Sequence, residues 1–480
     1  MAGKINGTNT PQAVPSSGQT NGHTNGHTNG YSNGHANNYA NGGKPSDEED
    51  PICIVGMACR LPGGIRSPSD LWEFLSRNDS AQGQVPKERF NIKAFYHPDG
   101  SRAGVMDADG GYFLQEDVRL FENSFFGINN LEATYMDPQQ RKLLEVVFEC
   151  FESAGLSMEQ ISGTNTGVYV GSGTAIMSNR ISHAFNLNGP RHLGTMKGGV
   201  LSPTSTCHTF DASADGYGRA EAVNSVYLKS LSSALRDGNK IWGVVRGTAI
   251  NSNGRTPGIT LPSAKLQEAV IRKAYASANL NFDETDYIEC HGTGTAVGDP
   301  IEVDGLQSCF GPREWPLKIG SVKANLGHSE AASGLTSLIK VALALDKGQI
   351  PPTYGVKKTK SQEANMSIAM DVGEWPRDVR RASINSFGYG GANAHAIVES
   401  LDSFLNKPRE KVHIPFDRKA QVVVLPISAA SKKSLENRLK QTEEIVQHGD
   451  ADTTQSLAFT LTQKSPSMRN KRFLFGKDKE

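Results

Sequence analysis

Apolar residues along the chain fall into short β-branched runs that stop at glycine and longer stretches that recur at helical spacing. Ile52–Val55 is such a run, ending at Gly56 and followed by a tight loop over Cys59–Gly64, so the folded part opens with a buried strand. Ser69–Arg77 sets Leu71, Trp72, Phe74 and Leu75 along one side and predicts a short core helix. Asp137-Pro138-Gln139-Gln140 places an N-cap acid, a proline at the first helical position and a glutamine at the third, a capping-box arrangement. The helix it starts carries Leu143, Leu144, Val147, Phe148 and Phe151, and Gly155 closes it. Thr166–Gly171 and Ile241–Ala249 read as strands, and Ser263 caps a helix running to Asn279. Asp286–Cys290 is a short buried strand, Ser386–His395 a glycine-rich turn between strands, and Val422–Pro426 with Lys432–Gln447 a last strand and helix.

With 480 residues, two to three domains are expected. Fifty basic residues balance fifty acidic ones, which leaves no electrostatic footprint for nucleic acid or an anionic membrane and points to small-molecule or protein partners. The six cysteines, at 53, 59, 150, 207, 290 and 309, form no Cys-x-x-Cys pair, and no secretory leader is read, so a cytoplasmic chain with reduced thiols is expected. The apolar stretch Leu335–Leu345 contains Lys340 and is too short to span a bilayer. Met1–Gly43 is low complexity, repeating Asn-Gly-His-Thr at 21–24 and 25–28; a disordered tail over 1–49 is expected, with metal capture by His23, His27 and His35 as the lesser reading. No P-loop, dinucleotide fingerprint, Gly-x-Ser-x-Gly or His-Glu-x-x-His occurs, and neither cofactor nor metal is expected.

Two stretches carry candidate chemistry. Cys290–Glu302 mounts His291 at the end of an apolar run and follows it with Gly292, Gly294 and Gly298, which let the backbone turn sharply and approach a ligand, before Asp299-Pro300 starts a helix. Ser321–Gly334 repeats the idea with strand, Gly327 turn, His328 and helix start. Either histidine alone reads as a satisfied structural residue. Together they can face one pocket.

On these two motifs the chain resembles the β-ketoacyl synthases, and from about Asp50 to Ser400 it is similar to the ketosynthase domain of a fungal-type highly reducing polyketide synthase. The resemblance implies an α/β fold of the thiolase-like type, a five-layer αβαβα sandwich of two related halves, usually a homodimer. It implies a decarboxylative Claisen condensation of acyl and malonyl thioesters, delivered on the phosphopantetheine of an acyl carrier protein that is absent from this chain. In that chemistry His291 and His328 donate hydrogen bonds to the enolate oxygen, and Tyr389 supplies a backbone N–H to the oxyanion hole. Lys323, on the strand and turn before His328, either supports the charge balance or is a structural cation, while Asp299 and Glu302 brace the loop. Phe210–Glu221 matches the loop that borders the pocket, and 401–480 looks like a ketosynthase-to-acyltransferase linker that ends before the acyltransferase.

The chain departs from the family at two joins. A block is expected to be missing at Gly171-Ser172, and at 190–192 Pro190-Arg191 passes straight to His192 where the family's nucleophile elbow should stand, a cysteine between alanine and serine. No other cysteine replaces it: Cys207 has His208 beside it, yet neighbours in an extended chain point to opposite faces. The expectation is an incomplete N-terminal half and a catalytically inactive chain, with a non-catalytic relic or interaction protein, or a faulty translation of an intact gene, as the alternatives.

Overall fold

A computed structural model describes residues 50–99, 102, 105–171, 181, 184, 191–194, 201–258, 261–359, 365–388, 390–406, 422–449, 451–465 and 468–477, with residues 191–194 described in backbone only. The expected tail with His23, His27 and His35, Ser172 of the first join, Pro190 of the second and Tyr389 lie outside them. Asp50–Glu480 forms one compact unit.

The first strand, β1 (Ile52–Arg60), is buried at every position from Cys53 to Cys59. It therefore continues through Gly56, where a loop had been expected, because helices cover both of its faces. Gly56 serves the packing: a Cβ there would lie 2.4 Å from the Cys150 carbonyl oxygen. Seven further strands join β1 in one sheet: β2 (Val223–Ser230), β3 (Gly243–Ser252), β4 (Tyr287–Glu289), β5 (Leu317–Gly320), β6 (Met366–Ile368), β7 (Arg381–Phe387) and β8 (Ala392–Glu399). Their order is β6-β5-β4-β7-β8-β3-β1-β2. The β6-β5-β4-β7 side is parallel and the β7-β8-β3-β1-β2 side antiparallel.

The helices lie where the apolar spacing put them. α1 (Pro68–Ser76) is capped by Ser67, and α2 (Pro138–Ser153) has Asp137 accepting from the Gln139 N–H at 2.8 Å. The reciprocal capping box forms instead at Ser157 and Gln160. α3 (Ala264–Ser277) starts at Ser263, α4 (Gly298–Phe310) follows the first histidine loop, and α5 (Ser333–Lys347) follows the second. α1 and α5 pack on one sheet face through Leu71, Leu75, Val341 and Leu345, and α3 and α4 on the other through Val270, Ile271 and Leu306. α6 (Lys432–His448) lies on an antiparallel ribbon of Val422–Ala429 with Asn470–Lys477, whose own core is Leu425, Ile427, Leu435 and Leu461.

The first half is thinner. Val168–Gly171 pairs in parallel with Arg191–Gly194 in a separate two-stranded sheet. A cavity of about 740 Å³ lies between that pair, α2, β2 and the start of α5, lined by Leu143, Val147, Phe151, Val168, Val223 and Leu335. Gly171, where the first join is expected, lies on its wall.

Candidate active site

Both histidines stand at the ends of adjacent parallel strands, where loops leaving one end of a sheet converge. β4 delivers His291 and β5, through a one-turn helix Lys323–Leu326 and Gly327, delivers His328. Lys323 thus begins a helical turn and is not on strand; its N–H donates to the Ser321 hydroxyl at 3.3 Å. The two imidazoles are perpendicular with ring centroids 5.4 Å apart and line one cavity of about 320 Å³. Its wall also holds Phe387, Gly388 and Gly391; Gly391 has φ +92°, and a Cβ there would press on Asn253.

The protonation state of both rings follows from their neighbours. The Phe387 N–H donates to His291 Nδ1 at 3.3 Å, and the Glu330 N–H donates to His328 Nδ1 at 3.2 Å. With Nδ1 accepting, a neutral ring carries its proton on Nε2. Burial, then the Lys323 ammonium, holds both imidazoles well below the usual range, His328 adding to this at His291 and Arg219 at His328. Both rings therefore line one pocket with Nδ1 occupied and Nε2 left as the position for the proton.

The loop that carries His291 is held by carboxylates. Glu302 accepts from the N–H groups of His291 and Gly292 at 2.7 and 2.8 Å and from Asn385 Nδ2 at 2.8 Å. Asp299 accepts from Phe210 and Gly294 N–H groups at 2.8 and 3.1 Å, and burial with the nearby Glu302 charge pushes it up to about 7 in spite of those bonds. Behind them His395 Nδ1 meets Asn385 Oδ1 at 2.8 Å, and burial takes His395 down to about 3. Lys323 is fully buried and lowered by that burial, against the upward pull of Glu289 and Glu302.

A second layer was not legible. Glu289, on β4, accepts from the Val322 N–H at 2.6 Å and from Tyr287 Oη at 2.6 Å, and meets Lys340 Nζ at 2.7 Å, with both charged side chains wholly buried. It ties the two histidine loops together. The available signal was a lysine inside the apolar run Leu335–Leu345, which a soluble core tolerates only beside a buried acid.

No cysteine is activated. All six are buried and free; burial pushes Cys207 up to about 12, its Sγ accepting from the Gly218 N–H at 3.3 Å, and Cys53, Cys59, Cys150 and Cys309 to about 11 or 12, with Cys290 raised well above the usual range. Among the described residues, no cluster of His, Cys, Asp and Glu could hold a metal ion, and no helix is long and apolar enough to cross a membrane.

Comparison with known proteins bears on the same pocket. The β-ketoacyl synthase N-terminal domain matches residues 49–175 and 191–234, the C-terminal domain 242–357, and the ketoacyl-synthetase C-terminal extension 359–474. The highly reducing polyketide synthase fogA of Aspergillus ruber is 52% identical over 510 residues, 89% of this chain and 21% of the relative. The highly reducing polyketide synthase virA of Hypocrea virens is 54% identical over 491 residues, 86% of this chain and 21% of the relative. The chain spans about a fifth of the length of these curated relatives. Among solved structures, the oxazolomycin ketosynthase domain from Streptomyces albus JA3453 superposes with a TM-score of 0.82 at 28% identity, over 90% of this chain and 86% of that one. The module 6 ketosynthase of the bacillaene synthase from Bacillus subtilis 168 gives 0.78 at 27%, over 89% and 82%. With its thiolase-like α/β fold, the chain belongs to the β-ketoacyl synthase family, as a ketosynthase region of the fungal highly reducing polyketide synthase type.

Proposed function

We propose that this chain is a ketosynthase whose enolate-stabilising half is in place and whose acyl-accepting half is not. The observation that carries the first part is that the His291 and His328 rings line one cavity, each with its Nδ1 accepting a backbone N–H, which supports an Nε2–H donor on both. In a malonyl thioester bound there, the bond from the α-carbon to the carboxylate breaks, carbon dioxide leaves, and the electron pair delocalises onto the thioester oxygen. Two imidazole N–H groups aimed at that oxygen stabilise the charge as it develops, and they do so best in a dry site. Lys323 lends positive potential, and Tyr389 is assigned the backbone donor of the oxyanion hole. Without an acyl-cysteine to attack, the enolate takes a proton from water and the product is the acetyl thioester.

The second part rests on the six raised thiols and on the break in the family match at 175–191. Condensation needs a thiolate to hold the acyl chain, and loss of a nucleophile from a catalytic unit can cost on the order of a millionfold in rate. The domain division goes with this reading: a tail at 1–49, a ketosynthase-like part at 50–400 short of blocks at 171/172 and 190–192, and a linker-like segment at 401–480. So do its partners, which are an acyl carrier protein bearing phosphopantetheine and a second copy of the chain, and a cytoplasmic location.

Intact-protein mass spectrometry after incubation with an acyl thioester tests the acylation half, with no adduct expected; a stoichiometric adduct on any cysteine would sink it. Carbon dioxide release from malonyl thioester, measured against the double variant His291→Ala, His328→Ala, tests the donor half. Release above the variant's by about tenfold, about 1.4 kcal/mol of transition-state stabilisation, is the mark of a working donor pair. A second reading is favoured by one observation: the match to the Aspergillus ruber relative runs over 510 residues, more than the 480 of this chain. A relative that carries additional residues inside the matched region fits a translation that lost coding blocks. Full-length transcripts crossing both joins decide it, because in-frame blocks encoding an Ala-Cys-Ser elbow would restore the active enzyme.

A further inference from the structure

Glu330 lies in the left-handed region at φ +51°, two residues after His328, on a residue type that gains nothing there. Its backbone N–H is the donor that fixes His328 Nδ1. Its carboxylate has two partners: Tyr217 Oη donates to Oε1 at 3.1 Å, and Arg219 Nη1 pairs with that oxygen. The segment carrying those partners is itself bound to the histidine, with the His328 N–H donating to the Gly218 carbonyl at 2.8 Å and the Ala220 N–H to the His328 carbonyl at 3.0 Å. The Tyr217 ring then lies edge-on to the imidazole at 4.9 Å, and the Arg219 guanidinium covers the Tyr217 ring at 5.5 Å.

We propose that Glu330, Tyr217 and Arg219 form a clamp that holds the turn after His328 in its left-handed form and thereby sets the Nε2–H tautomer of that ring. The three are positioning residues acting through His328, and the proposal deepens the enolate-donor reading without depending on turnover. As an ion pair the contact is weak, since Arg219 and Glu330 side chains are 42% and 29% exposed. Its effect is geometric: the Ser333 hydroxyl and N–H hold the Glu330 carbonyl from one side and the fixed carboxylate holds the residue from the other, so release of the carboxylate lets the turn relax and draws its N–H off Nδ1. His291 has a different lock, the Phe387 N–H, and stays as it is.

Nitrogen-15 NMR of the full chain, labelled at histidine, reads both tautomers in one spectrum. In the parent chain both rings are expected as Nε2–H. In Glu330→Ala, and in the milder Tyr217→Phe, the tautomer ratio of His328 shifts by about fivefold, the weight of one neutral hydrogen bond, while His291 does not move. Glu330→Gly separates strain from anchoring, because glycine accepts φ +51° freely; a His328 that is disordered in this variant too shows that the carboxylate, and not a penalty of the backbone, holds the turn. Glu330→Gln keeps an acceptor for Tyr217 and Arg219 and restores the parent spectrum. An unchanged His328 signal in Glu330→Ala, Glu330→Gly and Tyr217→Phe, with His291 reporting an intact fold, overturns the clamp. Failure of carbon dioxide release with the His328 shift present sinks the donor reading and leaves the clamp standing.

Discussion

At the scale of single residues, the site is a set of groups held in states they would not adopt in water. His395 is the clearest, buried against Asn385 and lowered to about 3. Its folded value lies below the unfolded one, so its contribution to stability is complete above about pH 6.5 and is lost as pH falls from there towards about 3. Asp299 acts in the opposite sense, since its raised value favours the folded state at low pH. A differential measurement separates them: His395→Gln, which keeps a donor for Asn385, is expected to lose less stability than the parent between about pH 7.5 and 5 in urea unfolding. Equal losses would show that His395 does not titrate on unfolding. Glu302→Gln tests the brace. The amide oxygen can replace Oε1, which accepts from the His291 N–H and Asn385 Nδ2, but the N–H₂ group then meets the Gly292 N–H, and a loss of about 2 kcal/mol in urea unfolding at pH 7 is expected, against under about 0.5 kcal/mol if the contacts carried nothing.

At the scale of elements, α5 does more than fill space. Its fully buried Lys340 reaches Glu289 on β4, and Glu289 holds the loop that begins Lys323. Removing one partner leaves the other charge buried and unpaired, which costs about 3–5 kcal/mol, while replacing both removes that penalty. Lys340→Met alone is therefore expected to lower the urea midpoint strongly, and the double variant Lys340→Met, Glu289→Gln to be more stable than the sum of the single losses predicts. Additive losses in that cycle would mean that the two side chains do not interact. The ribbon of Val422–Ala429 and Asn470–Lys477 packs one face on α6 and leaves Val424, Phe473 and Phe475 uncovered on the other.

At the scale of the whole molecule, the two halves of the fold are unequal. β3, β4, β5, β7 and β8 form a continuous five-strand block covered by helices on both faces, and the pocket is built on its end. The other half contributes β1 and β2 to that sheet and a separate pair at Val168–Gly171, with an apolar cavity of about 740 Å³ behind it. Apolar voids that large forfeit packing contacts and attract apolar dyes. The native chain at pH 7 is expected to enhance anilinonaphthalene sulfonate fluorescence while its near-ultraviolet circular dichroism stays folded; no enhancement would show the cavity closed in solution.

Local chemistry was legible in the sequence wherever it is decided within a few residues. Proline and acid at 137–138, the Ser263 cap, the glycine turn before β8 and the two histidine mounts each act over one turn or one strand end, and they appear where the pattern put them. The continuation of β1 through Gly56 depends on α2 lying against it, which no stretch of nine residues contains. The tautomers of His291 and His328 depend on N–H groups from Phe387 and Glu330, and the first is 96 residues away along the chain. The raised thiols and the Glu289–Lys340 pair exist only because folding removes those groups from water, so burial, a property of the tertiary structure alone, decided them.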